Sequence, residues 1–170
     1  MKPTHHLPWT AAALTGTALV GAAGTDVRST WYQSLAKPRW QPPGRVFGPA
    51  WTILYALIAM ASARALDRID DPAERTRYRL ALAANLVLNI GWSWIFFRAH
   101  RPRQALAEML ALEVSTVDLI LRSVRHDRAA AGMLAPYAGW VAFATALTAA
   151  IAQKNPPGRS ERGRTGASSC

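Results

Sequence analysis

The chain is divided into long stretches without charge, separated by short groups of arginine. That pattern constrains the fold more than any other feature. Residues 9–25, 46–63, 80–97 and 129–153 run 17, 18, 18 and 25 residues with no Lys, Arg, Asp or Glu. Each approaches or exceeds the roughly 20 residues needed to cross about 30 Å of hydrocarbon at about 1.5 Å per residue. Lipid offers no hydrogen-bond partners to an open backbone, so helices are the natural solution. A fifth stretch, 105–121, has similar length but carries Glu108, Glu113 and Asp118. Their spacing of five fans them around a helix. Asp118 has Arg122 one turn on, a favourable pair. Glu113 is placed mid-span, where a carboxylate costs roughly 3 kcal/mol on insertion scales, so it is expected to face the bundle interior. The reading is an all-α integral membrane bundle of five transmembrane helices, at about 9–27, 46–64, 78–98, 104–122 and 129–153. These form one domain over 1–155, with a loop at 28–45 and a disordered basic tail at 156–170.

Hydrophobic residues make up 51 % of the chain, yet mean hydropathy is only +0.03, because twenty Lys and Arg offset the apolar runs. A net charge of +10 invites a nucleic-acid partner, but that requires the cations on one face. Here they flank apolar stretches, as at the water-facing ends of membrane proteins, so no nucleic-acid partner is expected. Counting loop cations on the two sides of a five-span topology gives nine against eleven of the twenty, which leaves orientation open. The single cysteine is the last residue, Cys170, which excludes a disulfide framework and a prenylation box. The first span resembles a signal peptide, with Lys2, an apolar run and small residues near Gly24. The aromatic stretch directly after it favours a retained helix. Small residues recur at packing intervals: Ala138, Ala142, Ala146 and Ala150 on one stripe, Ala131, Ala135 and Gly139 on another. Gly16, Gly21 and Gly24 loosen the first helix. Such stripes let helices approach closely within a bundle or across a homodimer.

The 28–45 segment is rich in proline, aromatic rings and cations. Trp31, Tyr32 and Trp40 suit an interface. Lys37-Pro38 and Pro42-Pro43 stiffen the connection, and Pro49 is tolerable at a helix start. A stiff aromatic loop of this kind makes a plausible lid. Within the spans, chemistry-bearing residues fall at helical spacing: Phe47, Trp51 and Tyr55; Asn85, Asn89, Trp92, Ser93 and Phe96; Tyr137, Trp140, Ala144 and Thr148. Two asparagines facing lipid would strand several polar groups, so they should turn inward. They serve either as interhelical bridges or as part of a pocket for a flat, largely apolar ligand. No phosphate loop, metal-ligand spacing or hydrolytic triad is present in the sequence, and His5-His6 lies at an exposed terminus. No metal and no required cofactor are expected.

The segments WYQSLAKPRWQPP, FGPAWTILY, LNIGWSWIFF and LAPYAGWVAFATAL resemble successive signatures of the TspO/translocator protein family, the tryptophan-rich sensory proteins or peripheral benzodiazepine receptors. The resemblance runs in order from about residue 31 to 155. It implies a five-helix membrane bundle, usually a homodimer in a lipid bilayer, with a pocket closed by the first interhelical loop. It implies porphyrin ligands such as protoporphyrin IX and haem, and for some members cholesterol or benzodiazepine-type ligands. Among bacterial members it implies light- and oxygen-dependent porphyrin breakdown or tetrapyrrole-linked regulation. By matching position, Tyr32 is a lid ring, and Trp51, Asn89, Trp92 and Trp140 surround the pocket. Asn85 stands where the family carries a glutamine. Trp51 and Trp140 are the candidates for any photo-oxidation. Arg28, Lys37, Arg39 and Arg45 are candidates to meet propionates, Arg45 standing where the family carries an aromatic residue. Leu147-Thr148 replaces the usual Leu-Asn, and no tyrosine follows before Lys154, so porphyrin ranks above sterol. Sensing, transport and degradation all stay open, as does a signalling subunit with a protein partner. The expected location is a bacterial cell membrane, inner or outer.

Overall fold

The computed structural model describes residues 5–156; Lys2, Cys170 and the tail from residue 157 lie outside the described residues. Those described form helices and turns, with no strand among them. Five long helices are joined by short connections: α1 (Leu7–Gly24), α3 (Phe47–Leu66), α4 (Pro72–Ser93), α5 (Pro102–His126) and α6 (Arg128–Lys154). A short helix, α2 (Thr30–Ser34), and a 3-10 turn (Gly44–Val46) break up the first connection. α4 continues into a π turn over Trp94–Arg98. By length and composition, three of the long helices can cross a membrane: α3 with its preceding turn, α4 with the π turn, and α6. The three carboxylates of α5 and the shorter, threonine- and glycine-rich α1 set those two apart.

Helix ends follow local chemistry. α4 starts at Pro72, six residues before the expected 78, because the Asp71 side chain accepts from the Ala73 and Glu74 amides and Pro72 needs no amide partner. α1 stops at Gly24 instead of 27, where Thr25 turns extended and its hydroxyl donates back to the Gly21 carbonyl. The 28–45 loop is accordingly part helix, with Ser29 capping Tyr32 N. Asp127 ends α5 and begins α6, accepting from the Ala129 and Ala130 amides. Pro136 lies inside α6, which runs through it unbroken.

The long helices close a ring in the order α1, α3, α6, α5, α4 and back to α1. Apolar side chains such as Ile58, Leu82, Leu112, Leu119, Leu134 and Val141 fill it and are almost wholly buried. Polar side chains tie its seams. Thr10 donates to the Ala59 carbonyl between α1 and α3 (3.0 Å). The Tyr78 and Ser123 hydroxyls meet between α4 and α5 (3.0 Å). Trp94 and Arg98 donate to the Val20 and Ala23 carbonyls of α1. At the end away from the lid, Asp127 holds Arg64 at 3.0 Å and Arg68 at 3.4 Å, and His6 meets Asp67 at 2.6 Å. The outside carries Leu19, Ile53, Leu80, Val87, Val114 and Leu121, all well exposed. An outer surface of this kind suits lipid rather than water. Asp118 pairs with Arg122 at 2.7 Å, and Glu113 is half-buried, one carboxylate oxygen sheltered without a partner. On α6, Gly139, Ala142 and Ala146 face outward, while Ala131 is buried.

Candidate ligand cavity

At the lid end of the ring lies a cavity of about 770 Å³, within the usual size range of ligand pockets. α1 gives it only small residues, Ala18, Gly21, Ala22 and Thr25, which leave room against the opposite wall. That wall is aromatic: Phe47, Trp51 and Tyr55 from α3, then Trp92, Phe96 and Phe97 from the end of α4. α6 adds Leu147, Thr148 and Ile151 near its end. The lid adds Tyr32, Gln33, Lys37 and Gln41.

The rings brace one another. Trp51 lies 5.3 Å from Tyr55 and meets Trp140 edge-on at 6.3 Å. Trp92 stacks on Phe96 at 5.8 Å. The π turn adds a residue to the last turn of α4, so the successive residues Phe96 and Phe97 are both buried, and Tyr32 packs against Phe97 at 5.2 Å. The lid is held by further aromatic contacts. Trp31 stacks on His100 at 4.2 Å, and His100 itself turns the chain between α4 and α5 with a positive φ of 55°. Lys37 Nζ sits 4.3 Å over the Tyr32 ring, a cation–π contact, and Gln41 donates to the Tyr32 hydroxyl at 3.1 Å. Burial pushes the Tyr32 phenol above its ordinary pKa, and the Gln41 hydrogen bond partly offsets this.

The floor is polar and buried. The Tyr55 hydroxyl donates to Asn89 Oδ1 (2.8 Å), and Asn89 Nδ2 donates to the Tyr137 hydroxyl (3.2 Å). Tyr137 then donates to Asn85 Oδ1 (3.1 Å), and Asn85 Nδ2 reaches the Ser115 and Thr116 hydroxyls. Asn85, Tyr137 and Thr116 have no exposed surface. Four helices are thereby pinned by one chain of side-chain hydrogen bonds.

Of the residues singled out from sequence, the cavity gathers Tyr32, Phe47, Trp51, Tyr55, Asn89, Trp92, Ser93, Phe96 and Thr148, with Lys37 as its cation. Others lie elsewhere. Asn85 and Tyr137 form the layer beneath the cavity, and Ala144 is buried in the core. Trp140 does not line the cavity but buttresses Trp51 and Phe47. Trp40 is half exposed and packs on Phe143 instead, at 5.8 Å. Arg28, Arg39 and Arg45 are exposed outside the lining. Asn89 is at the rim of the floor with both of its side-chain atoms already bonded. Gln41, Phe97 and Ile151 join the lining without having been singled out. Gln41 was masked by the prolines after it, and Phe97 by a π turn that helical spacing does not foresee. No group of three His, Cys, Asp or Glu that could hold a metal occurs among the described residues.

Comparison with known proteins shows the family of the chain. The TspO/MBR family profile matches residues 9–153. The chain is 36 % identical over 141 residues to the tryptophan-rich protein TspO of Chlorobaculum tepidum, covering 81 % of this chain and 89 % of that one. It is 33 % identical over 144 residues to the protein of the same name from Archaeoglobus fulgidus, covering 82 % and 92 %. To the human translocator protein it is 32 % identical over 126 residues, covering 74 % and 75 %. With its apolar helices and lipid-suited exterior, this integral membrane protein belongs to the TspO/MBR family.

Proposed function

We propose that all five long helices cross the bilayer and that the cavity binds a planar tetrapyrrole, protoporphyrin IX or haem, for sensing or transport. The observation that carries this reading is the cavity itself: about 770 Å³ walled by six aromatic rings, with Lys37 at its lid edge. At about 1.5 Å per residue the 18 residues of α1 reach about 27 Å, close to the hydrocarbon thickness. One carboxylate oxygen each of Glu108 and Glu113 on α5 is buried within the bundle, which lowers the cost of carrying these residues across the bilayer. Flat rings suit a macrocycle, and a cation at the edge suits its propionates. Asn89 Oδ1 and one Nδ2 proton are taken by Tyr55 and Tyr137, which leaves it a single amide proton to offer and puts most of the recognition on ring packing and Lys37. Titration of purified protein with protoporphyrin IX tests the reading through quenching of tryptophan fluorescence. Saturable quenching is expected in wild type. Trp51→Ala removes a lining ring and should weaken binding at least tenfold, about 1.4 kcal/mol. Trp140→Ala acts only through the lining rings it braces, Trp51 and Phe47, and should cost less. A curve without saturation, or one indifferent to Trp51, overturns the site.

A second reading, porphyrin photo-oxidation, draws support from the contact between Trp51 on the wall and Trp140 behind it, 6.3 Å apart. Illuminating the same samples in air separates it from binding. Porphyrin absorbance should then fall faster with wild type than with Trp140→Phe, which keeps a ring but loses the indole. Equal rates with and without protein remove it.

A further inference from the structure

We infer that Asn155 is the latch of the lid, a positioning residue whose side chain clamps the strap over the cavity and sets how fast a ligand enters and leaves. Asn155 Oδ1 accepts from the Ala36 amide at 3.0 Å, and Asn155 Nδ2 donates to the Ala36 carbonyl at 3.0 Å. The second Nδ2 proton goes to the Ile151 carbonyl at 2.8 Å. A primary carboxamide carries a donor and an acceptor side by side, like a peptide group, so it pairs with a single extended residue as a neighbouring strand would. Aspartate lacks the donor, serine reaches one partner only, and glutamine is one methylene too long.

Local sequence puts both partners in place. Pro156 disfavours helical geometry at the residue before it, and Asn155 leaves α6 at φ −123° and ψ 67° while its amide still bonds Ile151 O. The carboxamide is thereby swung off the end of α6. Across from it, α2 has ended at Ser34, and Pro38 biases Lys37 toward an extended backbone. Ala36 therefore has no helical partner for either backbone group. The clamp joins the two sides of the cavity: Ile151 is one turn before the latch and Lys37 is next to Ala36, and both line it. The other lid contacts, Trp31 on His100, Tyr32 on Phe97 and Trp40 on Phe143, are ring packings that tolerate sliding. The paired bond to Ala36 is directional and fixes the register of the strap.

The kinetic role rests on the tetrapyrrole reading of the cavity, so the test has two independent arms, both on the full chain in lipid nanodiscs. The first follows backbone amide exchange of the ligand-free protein. Asn155→Ala should speed exchange across residues 30–42, Ala36 included, while residues 134–147 of α6 keep their protection. The second follows protoporphyrin IX binding and release by stopped-flow tryptophan quenching. Asn155→Ala should speed both by about five- to tenfold, as expected from losing two modest hydrogen bonds, and move Kd less than either rate. Asn155→Asp keeps the acceptor, loses the donor, and should fall between. Unchanged lid exchange in Asn155→Ala overturns the latch, as does a gain matched by general loss of helix protection. Faster lid exchange with unchanged ligand rates overturns its gating role. Failure of wild type to take up porphyrin removes the ligand reading, while the exchange comparison still decides the latch.

Discussion

At the scale of single residues, the informative groups are those that spend every hydrogen bond they have. Tyr137 joins Asn85 to Asn89 and is completely buried. Removing its hydroxyl strands Asn85 Oδ1 and one proton of Asn89 Nδ2. An average hydrogen bond between membrane helices is worth only about 0.6 kcal/mol, but a stranded buried polar group costs about 1–3 kcal/mol. Stranding should win, because the packed layer leaves no space for substitutes. Tyr137→Phe is expected to destabilise the bundle by about 1–3 kcal/mol, read as a lower thermal midpoint in detergent, although the cavity lining is untouched. The sequence indicated that the asparagines turn inward; it could not say whether they meet a ligand or each other. That choice depends on which helix stands opposite, a fact about ring order that no single stripe contains.

At the scale of elements, contact between helices depends on where a side chain is missing. A Cβ on Gly24 would come within 2.7 Å of the Trp94 ring, closer than packed atoms approach, and Trp94 is held by its bond to Val20 O. Gly16, on the same helix, has nothing within 4 Å of the same construction. The two substitutions should therefore differ in sign. Gly24→Ala is expected to cost about 1–3 kcal/mol by forcing α1 and α4 apart. Gly16→Ala should gain about 0.5–1 kcal/mol of helix propensity, both followed by thermal unfolding. Much of the element pattern was legible, since uncharged runs and capping residues mark helices directly. Polar and aromatic stripes at i, i+3 and i+4 put Trp51 with Tyr55 on one helix and Asn89 with Trp92 on another, and the family resemblance set Trp51, Asn89 and Trp92 around one pocket. What spacing missed has physical causes. The π turn changes the period after Phe96 and so brings in Phe97. α6 passes the cavity only with its final turns, so Tyr137 and Ala144 share a stripe with Thr148 but not a location.

At the scale of the molecule, the two ends of the ring are closed by different chemistry. Rings and the strap cover the cavity end, while ion pairs knit the other. Burial alone would push the Asp127 carboxyl up, but the Ala130 and Ala129 amides and the Arg64 and Arg68 guanidiniums outweigh it, so the group sits below its ordinary pKa. A carboxylate depressed in the fold adds stability that is complete above its unfolded value, about 3.9, and is lost as pH falls through the folded value. The thermal midpoint should drop on acidification below about pH 4. Asp127→Asn keeps the helix cap but not the charge, so it should start lower at neutral pH and lose less in acid. The hydrogen-bonded layer of Asn85, Tyr137 and Thr116 separates these two ends. Its consequence is that the bundle is shaped as a cup rather than a pipe. On the proposed ligand reading, a tetrapyrrole entering at the rim would rest on that closed base and leave by the same rim, and passage through the bundle would require the helices themselves to part.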